Sequence, residues 1–547
     1  MYKKQVSFLL ILILAMSTLL WEVGYSKPLV KKPITLTFMC EDTENPAHSL
    51  KKETPLTMQW WEEATGIHIE PIDVILTQDY TNVLQLKAAA GQINTDIVEI
   101  RGDSTGNYIT QYVKSGLIIP LNDLIDKYAP NIKAFMKRYP QYKEILTLPD
   151  GKIYSIGTAL ASRYAYMGIM IRKDWLDKLG LKMPNTLEDW YKTAIAFVKD
   201  DPNGNGKADE LGMISGDKLF GLYEFGLAYD LHLCIEGGWH IRDGKLDWDF
   251  IRPEAKDFLR FLNRCVKDGA VAPDFNDPTL TPFNMSQRVY DGLVGMIVRY
   301  NGRYLGFRGG TGNVWDLVNP GGPMMVKDPK ARWVMAPPPL PINPKGRRMY
   351  ILESIANRWR TYAITSKCKD PVAAIKWLDF VFASKEGINI LRYGKEGLTY
   401  IHKPDGSIEM LVKLTPTNEI ADGPLAGKWF GGVTIGNVVP TIEDDALVLQ
   451  RMKESETPQW AIDSLKTNLK YATQPFLLPI LPLEEGKEVA KLYNDIKTYK
   501  DEMWAKFVAG DIPITDENFN NYVNTIKKMG IDKVIEMYQK AYDNRSK

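Results

Sequence analysis

Residues 201–210 read Asp-Pro-Asn-Gly-Asn-Gly-Lys-Ala-Asp-Glu, and oxygen-bearing side chains recur at Asp201, Asn203, Asn205 and Asp209, with Gly204 and Gly206 between them. A calcium ion takes about six to eight oxygen ligands, and a loop supplies them with a ligand at every second residue and glycine at the sharp bend. Asp201, Asn203 and Asn205 offer side-chain oxygens, Lys207 its backbone carbonyl, and Asp209 and Glu210 close the shell. The expected cofactor is therefore Ca2+. An EF-hand loop ends in Glu at about position twelve, which here is Gly212, and it leaves into a helix, whereas this exit runs Leu211-Gly-Met-Ile-Ser215. The stretch reads as a calcium clip after one helix, with a solvated Asn-Gly turn as the alternative.

The second chemical signal is aromatic. The chain has 14 Trp and 27 Tyr, enough for a large core and also for flat platforms under a ligand such as a sugar ring. H-E-x-x-H and the phosphate-binding P-loop are both missing from the sequence, and Gly102-Asp-Ser-Thr-Gly106 matches only the bare spacing of G-x-S-x-G. With 68 basic and 67 acidic residues the net charge is +1, so no global field draws the chain to nucleic acid or anionic membrane. The four cysteines (Cys40, Cys234, Cys265, Cys368) are not at metal-ligand spacing, and whether Cys234 and Cys265 pair stays open.

At 547 residues the chain exceeds a single core and points to two lobes. Residues 1–26 read as a signal peptide: Lys3 and Lys4, an apolar run from Val6 to Leu20, then the small residues Gly24 and Ser26. The expected location is extracytoplasmic, in the periplasm or at the cell surface. No cysteine precedes Cys40, so no lipid-anchor box is found. Strand-like runs at 34–40, 68–74 and 96–100 alternate with helical stretches at 55–65 and 80–91, an α/β pattern with mixed or parallel sheet. A strand is expected at 152–156. The aromatic, β-rich run 162–172 is a candidate crossing between lobes. Thr186 caps a helix to Lys199 that feeds the 201–210 loop. Further helices are expected at 254–269, at 371–383 and over most of 485–541. The proline-rich 336–346 is the candidate for a second crossing. The resulting division is 33–160 for the first part of lobe 1, 161–340 for the first part of lobe 2, 345–415 for the second part of lobe 1, and 416–547 for the rest of lobe 2 with its helices.

Taken in order, the export signal, the run Arg172–Gly180 with Pro184-Asn-Thr-Leu-Glu188, the 201–210 loop, Asp291–Met296, Cys368–Asp379, Tyr393-Gly-Lys-Glu-Gly397 and the Gly530-Ile-Asp-Lys tail resemble the extracellular solute-binding proteins of carbohydrate ABC importers. The likeness is to the long branch that includes alginate-binding proteins and many Gram-positive lipoproteins. It covers nearly all of the mature chain. It implies an α/β, two-lobed periplasmic-binding-protein fold of type II, with mixed sheets flanked by helices and a hinge of crossing segments. It also implies a structural calcium at Asp201, Asn203, Asn205, Lys207, Asp209 and Glu210. The expected partners are an oligosaccharide and membrane permease subunits, with the chain itself monomeric, no nucleic acid bound and no catalysis.

Sugar recognition needs aromatic faces and planar polar groups at lobe edges. Tyr164 and Tyr166 flank the first crossing. Trp239 follows Gly237 and Gly238. Arg299, Tyr300, Asn301 and Arg303 follow a strand-like run. Trp315, Trp359 and Trp429 lie in glycine-rich or strand-end contexts, and one of Trp60 and Trp61 is a candidate for the cleft. Arg299 and Arg303 could clamp a uronate or form ordinary ion pairs. Trp190, Trp248 and Trp377 read as core. Three rival functions remain at this stage: a secreted glycoside hydrolase, which needs only two carboxylates, a receptor for peptides or other non-sugar solutes, and a surface sensor partner for a signalling system.

Overall fold

The computed structural model describes most of residues 28–545; it leaves out 43–46, 103–106, 162, 164–166, 216–218, 277–287, 301–329, 405–407, most of 432–458, and a few isolated positions. The export signal falls outside the described residues. The chain begins with β1 (Ile34–Glu41), β2 (Ile67–Ile75), β3 (Ile97–Arg101) and β4 (Ile156–Ala159). It continues through β5 (Met167–Arg172), β6 (Leu211–Ser215), the hairpin β7 (Trp239–Arg242) and β8 (Lys245–Trp248), β9 (Val294–Tyr300) and β10 (Trp333–Met335). The short β11 (Tyr350–Ile351) leads to β12 (Ala356–Ile364).

The first sheet has the order β2-β1-β3-β12-β4. β1 is parallel to β2 and β3, and β12 is antiparallel to β3 and β4. Both faces of β1 are covered. Leu36, Phe38 and Cys40 enter one core and Met39 enters another on the opposite face, as successive side chains on a strand must. The helix Leu56–Thr65 lies between β1 and β2 in sequence and ends at Gly66, whose φ of 74° suits glycine alone. It buries both of its tryptophans. Trp61 sits edge-on to Trp377 and donates to the Gly387 carbonyl at 2.9 Å. Trp60 meets Phe430. The expectation that one would face a cleft is corrected: this helix is covered on two sides, by Trp377 on one and by the 429–430 segment on the other.

The second sheet has the order β10-β5-β9-β6, with β6 parallel to β9 and β5 antiparallel to both β9 and β10. The helix Leu187–Lys199 starts on the expected Thr186 cap, completed reciprocally by Asp189. The helix Pro253–Lys267 and the tail helices Leu483–Ala509, Asp516–Lys528 and Ile531–Arg545 close the second core, around Trp504 at 0 % exposure. Trp190, Trp248 and Trp377 are buried as expected. All four cysteines are free thiols, so Cys234 and Cys265 do not pair.

Three boundaries differ from the sequence reading. The strand expected at 152–156 forms at Ile156–Ala159, and Ile153 makes only an isolated bridge to Thr147. The proline run does not cross. Ala336, Leu340 and Ile342 donate backbone hydrogen bonds to Ile169, Asn185 and Ala228 of the second lobe. The passage comes later, between Leu352 in a second-lobe core and Ile355 in the first. Finally, the first lobe does not end at 415. Ile420, Trp429 and Phe430 lie in its core, and Leu56 and Thr57 donate to the carbonyls of Trp429 and Phe430 at 3.0 and 3.1 Å.

Candidate functional site

The crevice follows from strand direction. In open α/β sheets, ligands bind beyond the carboxyl ends of parallel strands, where the order reverses. In the first sheet that point lies between β1 and β3. The chain leaves this sheet at the end of β4 and enters the second through residues 160–166. Met167, the first residue of β5, pairs with Tyr300, the last of β9. The carboxyl edge of the first sheet thus connects over one short link to the carboxyl edge of β9. A further passage runs beside it: Tyr350 and Ile351 pair in parallel with Ala472 and Thr473. After that pair, residues 477–481 contribute to the cores of both lobes.

At the first carboxyl edge sits a buried charge network. Glu41 ends β1, Arg101 ends β3, and Arg360 of β12 pairs in register with Arg101. Glu41 receives both guanidiniums. Glu99 lies 3.0 Å from the Arg360 Nε and accepts from the Glu41 backbone N–H at 3.0 Å. Burial pushes the Glu99 carboxyl up to about 7 although Arg360 opposes it, and burial also lowers Arg101 to about 10. The rim offers planar donors, and the Arg101 and Arg360 side chains keep 16 % and 15 % exposure. Sequence reasoning missed these four residues. The available signal was a charged residue closing each apolar strand run, Glu41 after β1 and Arg101 after β3.

Of the expected ligand residues, Arg299 and Tyr300 close β9 beside the start of β5. Trp359 lies on β12 next to Arg360. Tyr164, Tyr166, Asn301, Arg303 and Trp315 lie outside the described residues. Trp239 and Trp429 are corrected. Trp239 is 3 % exposed, contacts Trp248, Tyr493 and Tyr538, and donates its indole N–H to the Tyr493 hydroxyl at 3.2 Å. Trp429, equally buried, stacks on His48 with centroids 5.0 Å apart. The flanking glycines let the backbone turn tightly, and the tail helices and the 48–57 segment cover the rings.

The loop 201–210 is folded around oxygen. Asp201 adopts φ 45°, and Gly204 and Gly206 are also left-handed. The Asp201 carboxylate accepts from the N–H groups of Gly204, Asn205 and Gly206 at 2.8, 3.1 and 3.0 Å. Slight desolvation raises its pKa, but these N–H groups outweigh it and hold Asp201 below the usual range. Asn203 and Asn205 turn their amide oxygens to the N–H groups of Asn205 and Lys207, and the Asn205 amide reaches Asp209 at 3.1 Å. Glu210 is the diagnostic residue. It is 4 % exposed, neither carboxylate oxygen meets a well-placed donor, and burial, aided by the nearby Asp201 charge, raises its pKa. A buried carboxylate beside a second carboxylate, in a loop that also carries the Asn203 and Asn205 amide oxygens, fits a cation.

A family model for bacterial extracellular solute-binding proteins matches residues 44–229. The match spans 186 of the 547 residues. Over nearly its whole length it is similar to the fructooligosaccharide ABC transporter substrate-binding protein FusA of Streptococcus pneumoniae serotype 4, at 27 % identity covering 95 % of this chain and 92 % of that one. The polygalacturonan/rhamnogalacturonan-binding protein YtcQ of Bacillus subtilis is 28 % identical over 45 % of each chain. Among solved structures, alginate-binding AlgQ2 superposes with a TM-score of 0.69 at 22 % identity, over 95 % of this chain and 100 % of that one. FusA with kestose gives 0.67 at 23 %, over 94 % and 99 %. These likenesses establish the fold. No helix among the described residues is long and apolar enough to cross a membrane.

Proposed function

We propose that this protein is the extracytoplasmic substrate-binding component of an ABC transporter, which captures an oligosaccharide between its lobes and delivers it to membrane permeases. The observation that carries the reading is similarity to a fructooligosaccharide-binding protein along 95 % of the chain. The facing carboxyl edges supply the crevice such a ligand needs. Arg101, Arg360 and the end of β9 at Arg299 and Tyr300 supply polar groups from both sides, with Trp359, Tyr164 and Tyr166 as aromatic faces. Asn301, Arg303 and Trp315 belong to the same proposed surface. Two lobes joined by crossing segments close by hinge motion, holding the sugar without altering its bonds. The export signal at 1–26 delivers the protein outside the cytoplasmic membrane, where it works as a monomer.

The loop 201–210 holds a structural calcium ion through Asp201, Asn203, Asn205, the Lys207 carbonyl, Asp209 and Glu210. Two proteins of the same fold are known in forms that point to such a loop: AlgQ2 without calcium ion, and FusA as an EF-hand mutant.

Isothermal titration against fructooligosaccharides, pectic and alginate oligosaccharides and a peptide panel tests the ligand class. Saturable binding of one glycan class, with the glycan recovered intact, supports the proposal. Cleavage products, or binding confined to peptides, would replace it with one of the rival functions.

A further inference from the structure

A second group of metal-type ligands lies in the second lobe, away from the 201–210 loop. Ligand atoms of His232, Glu236 and His240 all lie within 4.8 Å of one another. The chain is shaped to bring them together. The turn Tyr223–Tyr229 ends at Asp230 with φ 59°. Gly237 and Gly238 then adopt φ 62° and 85°, and the Gly238 N–H donates to the His232 carbonyl at 2.9 Å. This reversal lays His240, on β7, over His232, with ring centroids 3.5 Å apart and planes 15° from parallel. A side chain at 238 would strike the Phe250 ring at 2.4 Å, so the bend requires glycine. Glu236 bonds the His232 Nδ1 and lies 3.7 Å from the His240 Nδ1.

The surroundings hold spare donor atoms. His232 is 3 % exposed and Glu224 0 %. The His232 Nε2, the His240 Nδ1 and both Glu224 oxygens make no hydrogen bond. Glu224 lies close enough to interact electrostatically with His232 and Glu236. Asp230 and Asp249 add two more carboxyl groups, shared with Arg242 and Arg252. Four carboxyl groups thus surround two guanidiniums and two imidazoles.

We propose that His232, Glu236 and His240 form a binding site for a divalent transition-metal ion of the zinc type, with Glu224 as the adjacent fourth acid. Mixed imidazole and carboxylate donors suit zinc and disfavour calcium, which takes oxygen alone. The surrounding groups already orient the ligands, as metal sites require. Asp249 accepts the His232 backbone N–H at 2.7 Å, and the second Glu236 oxygen accepts the Phe476 N–H from the segment that runs between the lobes. Metal binding would therefore tie that segment to the second lobe. The role would be structural, because three ligands and a nearby acid leave no exposed coordination position for a substrate.

The test uses the mature chain without a polyhistidine tag, stripped of metal and returned to saturating calcium so that loop 201–210 is filled. Cobalt is titrated and its visible d–d absorption recorded, and zinc affinity is measured by competition with a chromogenic chelator. The expected result is one equivalent per chain, a tetrahedral cobalt spectrum, and a loss of about 100-fold or more in His240→Ala. His240 is the accessible ligand, with 22 % of its side chain exposed, and a retained calcium-dependent melting shift shows that the variant folds. Should His240→Ala fail to fold, X-ray absorption of the zinc-loaded wild type decides, since two imidazole ligands are required. Zinc binding weaker than micromolar, equal binding by His240→Ala, or a zinc shell without imidazole would each overturn the proposal. So would a cluster that responds to pH alone.

Discussion

Replacing Glu210 with Gln should change the sign of its effect on stability according to calcium. Glu210 is 4 % exposed, has no well-placed donor and faces Asp201. With calcium chelated, a buried polar group in this position costs about 1–3 kcal/mol, more when charged. The neutral amide relieves the repulsion from Asp201, so Glu210→Gln should be as stable as the wild type or more stable under those conditions. At calcium 100 times its Kd, the wild type gains about 2.7 kcal/mol from binding. For a cooperative unit the size of one lobe, that is a rise of roughly 5–10 °C in Tm. The variant loses one anionic ligand and should keep only a small part of this rise, so the two melting curves exchange order between chelator and saturating calcium. Differential scanning calorimetry of both proteins across a calcium series reads the exchange directly. Equal calcium responses in the two proteins, or a variant less stable by one constant margin at every calcium level, would refute the assignment of Glu210 to the ion.

Two other expectations concern the first lobe. Glu99 keeps its proton up to about pH 7, against an ordinary value of 4.5. The folded state then binds more protons than the unfolded state across that window, so its contribution to stability is greatest below about pH 4.5 and falls as pH rises to 7. Denaturant titrations should show this decline, on the order of a few kcal/mol, abolished in Glu99→Gln and displaced to higher pH in Arg360→Met; a pH profile unchanged in Glu99→Gln would refute it. Gly394 has φ 85°, and a Cβ there would meet Trp60 at 2.6 Å and Phe430 at 2.9 Å. Gly394→Ala should therefore cost about 1–3 kcal/mol or more, and a smaller loss in urea unfolding would show that the 393–400 turn can give way.

Much of the fold was legible because local signals and burial agreed. Thr186 announced a helix start that the structure completes as a reciprocal cap with Asp189. The β-rich run from Ile34 reads as a strand, and β1 forms there. The lobe boundaries were harder, since they depend on which core a loop joins. Ile420 to Phe430 is glycine-rich and carries no periodicity that assigns it to a lobe. It belongs to the first lobe because Trp60 and the helix start at Leu56 need cover. The same ambiguity misdirected the ligand reading. Glycines beside Trp239 and Trp429 suggested exposed rings, but a glycine reports only that the backbone turns, and here it turns to pass over a buried indole. The network of Glu41, Glu99, Arg101 and Arg360 draws on three strands distant in sequence, and only the sheet register joins them.

That register also bears on how calcium and ligand are related. Glu210 immediately precedes β6, which is parallel to β9 and runs from Leu211 to Ser215. The loop therefore anchors the amino end of β6. The crevice lies beyond its carboxyl end, where Val298 pairs with Ser215 and Arg299 and Tyr300 follow. At about 3.3 Å per residue, the two are separated by roughly 16 Å of strand. A dication at that distance in salt is screened by more than one Debye length at about 0.15 M, and no loop side chain can reach across. Calcium removal should then lower the melting temperature of the second lobe while leaving sugar affinity, measured well below that temperature, within about twofold. A tenfold or greater loss of affinity in a fully folded calcium-free protein would mean instead that the loop sets the position of β6, and with it the second wall of the crevice.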